Sequence, residues 1–191
     1  AMSADQKLPT IYECDEARLT LKTEKGRVEF TYEDSDIMRI RVNGVTMRIH
    51  FEPRSNEKSA QCKDNELELS FGPVGKLLFR QISGQLQTTA CWDRQQHCST
   101  PFVIDLVPDP KTGIGETAIH ENYTQGKTLS DYKPFDQAYE DMKARFESFY
   151  GGYPPVALQY NDMARIAAWL IWQNRIGPRG ELKNTVVYMH K

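Results

Sequence analysis

Two alternating runs flank Asn43-Gly44, and this constrains the fold more than any other feature of the chain. Ile37 to Val42 sets Ile37, Arg39 and Arg41 against Met38, Ile40 and Val42, and the second run returns as Val45, Met47, Ile49 and Phe51. Period-two alternation places one set of side chains on each face of a strand. Asn-Gly between such runs predicts a tight hairpin, because its primed turn needs positive φ at both central residues. A chain with this signal needs a sheet, and a sheet with one apolar face needs something to cover it.

Further strand signals fill the first half. Thr20–Glu24 leads through Lys25-Gly26 into Arg27–Tyr32, and Glu66–Phe71 and Lys76–Ile82 bracket Gly72-Pro73-Val74-Gly75. Phe102–Val107, closed by Pro108 and Pro110, is expected to be the last strand. Short strands at intervals of roughly 8–12 residues predict an antiparallel β-sandwich over residues 7–108. Residues 109–154 are expected to form a linker carrying one helix. Its first part is rich in glycine and polar residues. In its second part Phe135, Ala138, Tyr139, Met142, Phe146, Phe149 and Tyr150 recur at helical spacing, between Pro134 and Gly151-Gly152. A second helix is predicted from Pro154-Pro155 to about Arg175. Val156, Tyr160, Met163, Ile166, Ala167, Leu170 and Ile171 form its apolar face, and Trp169 and Trp172 widen that face almost all round. A helix apolar on most sides must be covered on most sides, and one neighbouring helix does not suffice.

Composition excludes several classes of function. With 24 basic and 26 acidic residues the net charge is −2, which gives no polyanion-binding surface, so nucleic acid is not an expected partner. The most apolar stretch, Met163–Trp172, contains Arg165 and is about half the length of a membrane span. Residues 1–10 lack the apolar core of a secretory signal, which leans towards a cytoplasmic setting. Cys14, Cys62, Cys91 and Cys98 include no CxxC pair and read as free thiols, with a Cys91–Cys98 bridge left open.

Motifs for self-contained chemistry are weak. His50, His97, His120 and His190 are scattered, no GxSxG elbow is present, and His97-Cys98 pairs a nucleophile and a base only by adjacency. His120-Glu121 lacks a second histidine four residues on, and Asp105, Asp109 and Glu116 miss the spacing of a calcium loop. Gly113-Ile114-Gly115-Glu116 reads as a turn rather than a phosphate cradle, and Asp93 beside Trp92 as a surface turn. No catalytic residue, metal site or cofactor is therefore assigned.

The segment from Tyr160 to Leu182, with Trp169 and Trp172 ahead of Pro178-Arg179-Gly180, followed by Val186-Val187-Tyr188-Met189-His190-Lys191, resembles the opening of the catalytic barrel in glycoside hydrolase family 63 and its trehalase-like relatives. There a helix with a tryptophan pair leads through a Pro-x-Gly loop into a Met-Ser-Lys-type segment. His190 stands where serine is more usual. The resemblance implies that residues 155–191 begin an (α/α)6 barrel, a body of on the order of 350–450 residues. It implies an inverting hydrolase of α-linked glucosides or related oligosaccharides, whose acid and base lie beyond Lys191, so that this chain alone is silent. Its partners would be an oligosaccharide and the remainder of the barrel, on the same or a separate polypeptide. Tyr188, Lys191 and Arg179 are the implied substrate contacts. Two other readings stay open: a stand-alone carbohydrate-binding sandwich, and an interaction domain docking through the Trp169/Trp172 face.

Overall fold

A computed structural model describes residues 9–34, 36–51, 59–63, 65–70, 75–89, 102–121, 128–176 and 186–187. The chain is mainly β, as expected. Its large sheet has eight antiparallel strands: β1 (Ile11–Cys14), β2 (Arg18–Thr23), β3 (Gly26–Asp34), β4 (Ile37–Asn43), β6 (Ser59–Lys63), β7 (Glu66–Ser70), β8 (Lys76–Ser83) and β11 (Ile114–Glu121). They lie in the order β1-β2-β3-β4-β11-β8-β7-β6. A smaller sheet, β5 (Met47–Phe51), β10 (Phe102–Val107) and β9 (Gln85–Thr88), covers one face of the large one, in the order β5-β10-β9.

The alternation read from the sequence fills the space between the sheets. Val28, Ile40, Val42, Leu67, Leu69, Phe79 and Ile119 from the large sheet meet Phe102, Ile104 and Leu106 from the small one. Phe51 bridges the two layers, stacked on Phe102 at 5.1 Å between ring centroids and edge-on to Phe79 at 6.3 Å. One polar pair sits within this core. Thr117 donates to Gln81 Oε1 at 2.7 Å, and Gln81 in turn donates to the Ser83 carbonyl.

Two expectations are corrected. The runs flanking Asn43-Gly44 do not form a hairpin: β4 pairs with β3 and β11, whereas β5 pairs with β10 in the other sheet. Asn43-Gly44 is instead the corner at which the chain changes sheets. Gly44 has φ +70°, and its N–H donates to the Gly113 carbonyl at 2.9 Å. The left-handed conformation that Asn-Gly promises is used, but the partner chosen is not the next strand. Phe102–Val107 is likewise not the last strand. β11 lies in the stretch read as a connection and inserts between β4 and β8, near the middle of the large sheet. Gly115 and the outward Glu116 and His120 masked the inward set of Thr117 and Ile119.

Helix α1 (Phe135–Tyr150) has the predicted span and buries Phe135, Ala138, Tyr139, Met142 and Phe146. Helix α2 (Asn161–Gln173) starts later than predicted, after a 3-10 turn at Leu158–Tyr160, because Ala157 is extended. Asn174 ends α2, with its side-chain amide donating to the Leu170 carbonyl at 2.7 Å. No helix among the described residues is long and apolar enough to cross a membrane.

Candidate functional site

The site indicated by the sequence begins on α2. This helix carries two apolar stripes on opposite sides, each with heptad-like spacing. Ala168, Trp169 and Trp172 make the first, with Arg165 one turn before them on the same side. Trp172 meets Phe146 edge-on at 6.1 Å and Phe149 at 5.1 Å, and it packs on the Tyr139–Met142 cluster of α1. Arg165 lies over the rings of Phe146 and Tyr150 and pairs with both Glu147 on α1 and Glu16 in the turn between β1 and β2. Its hydrogen bond holds the Glu147 carboxyl below the usual carboxylate range. Trp169 Nε1 is buried with no hydrogen-bond partner among the described residues.

The second stripe is Met163, Ile166, Ala167 and Leu170. Met163 is 68%, Ile166 59% and Leu170 50% exposed, and Leu158 in the preceding turn is 90% exposed. Among the described residues the all-round apolar character read from the sequence is therefore met on one side only.

After α2 the backbone forms a two-stranded ribbon, β12 (Arg175–Ile176) with β13 (Val186–Val187), in the register Arg175↔Val187 and Ile176↔Val186. Nothing in the sequence announced this pairing, since two-residue strands carry no periodicity. The implied substrate contacts, Arg179, Tyr188 and Lys191, lie outside the described residues. So do His97, Cys91, Cys98 and Asp93.

A charged layer, missed by the sequence reading, separates α1 from the large sheet. Arg39 is wholly buried; it pairs with Glu33 at 2.5 Å and Glu116 at 2.9 Å and donates to the Lys133 carbonyl at 2.8 Å. Its Nε has no hydrogen-bond partner among the described residues. Arg18, Arg27 and Arg41 converge on Glu29 at 3.3, 3.1 and 2.9 Å. Burial alone would raise the Glu29 pKa, but the hydrogen bonds from Arg41 and Arg27 outweigh it and pull it below the usual carboxylate range. Arg41 also reaches Asp136 at the start of α1, at 2.9 Å, which lowers that carboxyl too. In this layer Arg18 lies over Tyr139, Arg39 over Tyr132 and Arg41 over Phe135, at 4.1, 5.4 and 4.3 Å from the centroids. The signal was the polar half of the alternation. Arg39 and Arg41 were visible as one face of a strand, but a charged face ordinarily meets water.

The layer takes up two of the loosely grouped candidates, His120 and Glu116. Buried His120 contacts the Tyr132 hydroxyl at 2.5 Å through Nε2, and Arg80 Nη1 donates to the same hydroxyl at 3.4 Å. Burial raises the Tyr132 phenol, with Arg80 opposing it. Glu116 serves Arg39, and Asp105 holds Arg48 in a bidentate pair at 2.7 Å. Asp109 accepts from the Lys111 and Thr112 N–H groups in the turn before β11. Among the described residues no three His, Cys, Asp or Glu side chains converge to hold a metal ion, and Cys14 is a free thiol.

Comparison of the chain with protein-family models and with characterised proteins returned no match.

Proposed function

We propose that this chain is the N-terminal part of a glycoside hydrolase acting on α-linked glucosides or related oligosaccharides. Its sandwich and α1 would brace a helical barrel that α2 begins. The observation that carries this reading is the second apolar stripe of α2. Met163, Ile166 and Leu170 are more exposed than side chains of their size are in a finished helical layer. They lie within the segment that resembles the barrel opening. The order of sandwich, connecting helix and tryptophan-bearing helix agrees with the architecture that the resemblance implies. Arg179 lies between the two strands of the ribbon in sequence and Tyr188 directly follows it. That placement is consistent with both belonging to the barrel entrance.

In this reading one carboxylic acid protonates the departing glycosidic oxygen and one carboxylate activates water on the opposite face of the sugar. Both groups are supplied by the rest of the barrel. This chain contributes the brace and the loop that leads to the substrate.

The test is isolation of the protein from its native source under non-denaturing conditions, followed by sizing and assay on α-linked glucose disaccharides with the product anomer read by NMR. The expected result is a particle far larger than 191 residues that releases the inverted anomer. A native particle of this size that binds sugar without turnover would overturn the proposal in favour of a carbohydrate-binding sandwich.

A further inference from the structure

We infer that residues 128–174 form a separable unit, docked on the sandwich through an ionic and Arg–aromatic joint and able to undock while the sandwich stays folded. This is independent of the glycosidase reading and rests on where the apolar and charged contacts fall.

The two parts have separate apolar interiors. Among the described residues the sandwich core lies between the two sheets and takes no side chain from either helix. The helices have their own cluster, in which Phe146 and Phe149 meet Trp172 and the ring of Tyr150 stacks on Phe146. Among the described residues the apolar clusters that cross the joint are small: Ala17 against Tyr139 and Met142, and Tyr132 against Ile37, Ala118 and Ile82.

The remaining ties are polar. Arg41 pairs with Asp136, Arg39 with the Lys133 carbonyl, Arg145 with Asp34 at 3.6 Å and Arg165 with Glu16, while Tyr139 donates to Asp15 at 2.9 Å. The Tyr132 hydroxyl meets His120 Nε2 at 2.5 Å and accepts from Arg80 at 3.4 Å, and the guanidinium faces of Arg18, Arg39 and Arg41 lie over Tyr139, Tyr132 and Phe135.

An interface of this kind differs from an apolar one when it opens. Separating two apolar faces exposes both to water with no compensation. Separating this one rehydrates Arg39, Glu33, Glu116 and Glu29, and that hydration offsets much of what their pairing gained. Most of the pairs also stay intact in the opened state, because Arg39–Glu33, Arg39–Glu116 and Arg41–Glu29 are all within the sheet. Undocking is thus less costly than opening the sandwich, which defines a cooperative unit of lower stability. The paired charges also fix where α1 sits on the sheet, since a shifted helix would leave Asp136 and the Lys133 carbonyl without their arginines.

Native-state hydrogen exchange of the full chain, followed residue by residue with increasing denaturant, tests this. In the wild type the amides of Tyr139 and Met142 should exchange at least about tenfold faster than those of Ile104 and Ala118, with a weaker denaturant dependence. Raising NaCl from about 0.05 M to about 1 M should widen that gap by screening the partly exposed pairs. Arg41→Gln, which removes the tie to Asp136 and the stack on Phe135, should speed α1 exchange about tenfold further and Ile104 by much less, since only its pair with Glu29 lies within the sheet. Leu106→Ala should do the reverse, speeding Ile104 and leaving α1 as it was. Equal exchange free energies and equal denaturant slopes for α1 and β10 in the wild type would overturn the inference, whether or not either variant folds. Equal acceleration of both regions by Arg41→Gln would overturn it as well.

Discussion

Three glycine-to-alanine substitutions at the corner between the sheets separate backbone strain from steric conflict. Gly113 has φ +72° and an added Cβ would meet no atom within 4 Å, so Gly113→Ala tests strain alone. Gly26 has no left-handed φ, but its Cβ would fall 2.1 Å from the Asn43 carbonyl oxygen, so Gly26→Ala tests conflict alone. Gly44 combines φ +70° with a Cβ 2.8 Å from the Lys25 carbonyl oxygen. A left-handed alanine costs about 1–2 kcal/mol, and the lost chain entropy of glycine in the unfolded state returns about 0.4–1 kcal/mol. Gly113→Ala should therefore destabilise by about 0.5–1 kcal/mol. Moving a backbone carbonyl to relieve a contact typically costs about 1–3 kcal/mol more, which places Gly44→Ala at about 2–4 kcal/mol. Gly26→Ala requires a shift of about 1 Å between β3 and the corner and should cost at least about 2 kcal/mol. Gly44→Asn is the control: asparagine tolerates the left-handed region, so it relieves strain but keeps the conflict. Urea unfolding of each variant, with the m-value checked for constancy, supplies the numbers. Equal costs for Gly113→Ala and Gly44→Ala would refute the reasoning, because they would show that the close approach at the corner carries no penalty.

Other outcomes follow from the same structure. Thr117→Val strands Gln81 Oε1 within the core and should cost about 1–3 kcal/mol, whereas Thr117→Val with Gln81→Leu should cost less than the sum of the two single changes, measured as a double-mutant cycle. Glu29 and Asp136 have folded pKa values below their unfolded ones, so their stabilisation is full above about pH 4.5 and is lost as pH falls through the folded values. The urea midpoint should fall between about pH 6 and about pH 3, and Glu29→Gln, which leaves three arginines without their shared carboxylate, should differ most from the wild type at the higher pH. Ile104→Ala, at a wholly buried position, should lower stability by about 2–5 kcal/mol in the same assay.

Much of the fold was legible because it rests on local pattern. The inward sets of β3, β4, β7, β8 and β10, the span of α1 and the excess apolar surface of α2 all follow from which residues recur at two, three or four steps. The fate of the α2 surface was half legible: the sequence required cover on most sides, and only the structure showed that α1 takes the side with Trp172 and leaves Met163, Ile166 and Leu170. The candidate substrate contacts rested on resemblance, and the structure describes only the short ribbon on either side of Arg179 and just ahead of Tyr188.

The sequence by itself determined the faces of the strands and the conformation at Gly44, because steric preference and side-chain alternation act within a few residues. The tertiary structure alone decided which strands became partners. It sent β5 to the small sheet across Asn43-Gly44 and placed β11 between β4 and β8, since pairing is chosen by contacts distant in the chain. It also decided that Arg39 and Arg41 would face a helix and not water. Alternation says that two residues share a face, but only the arrival of α1, about 95 residues further on, settles what that face meets.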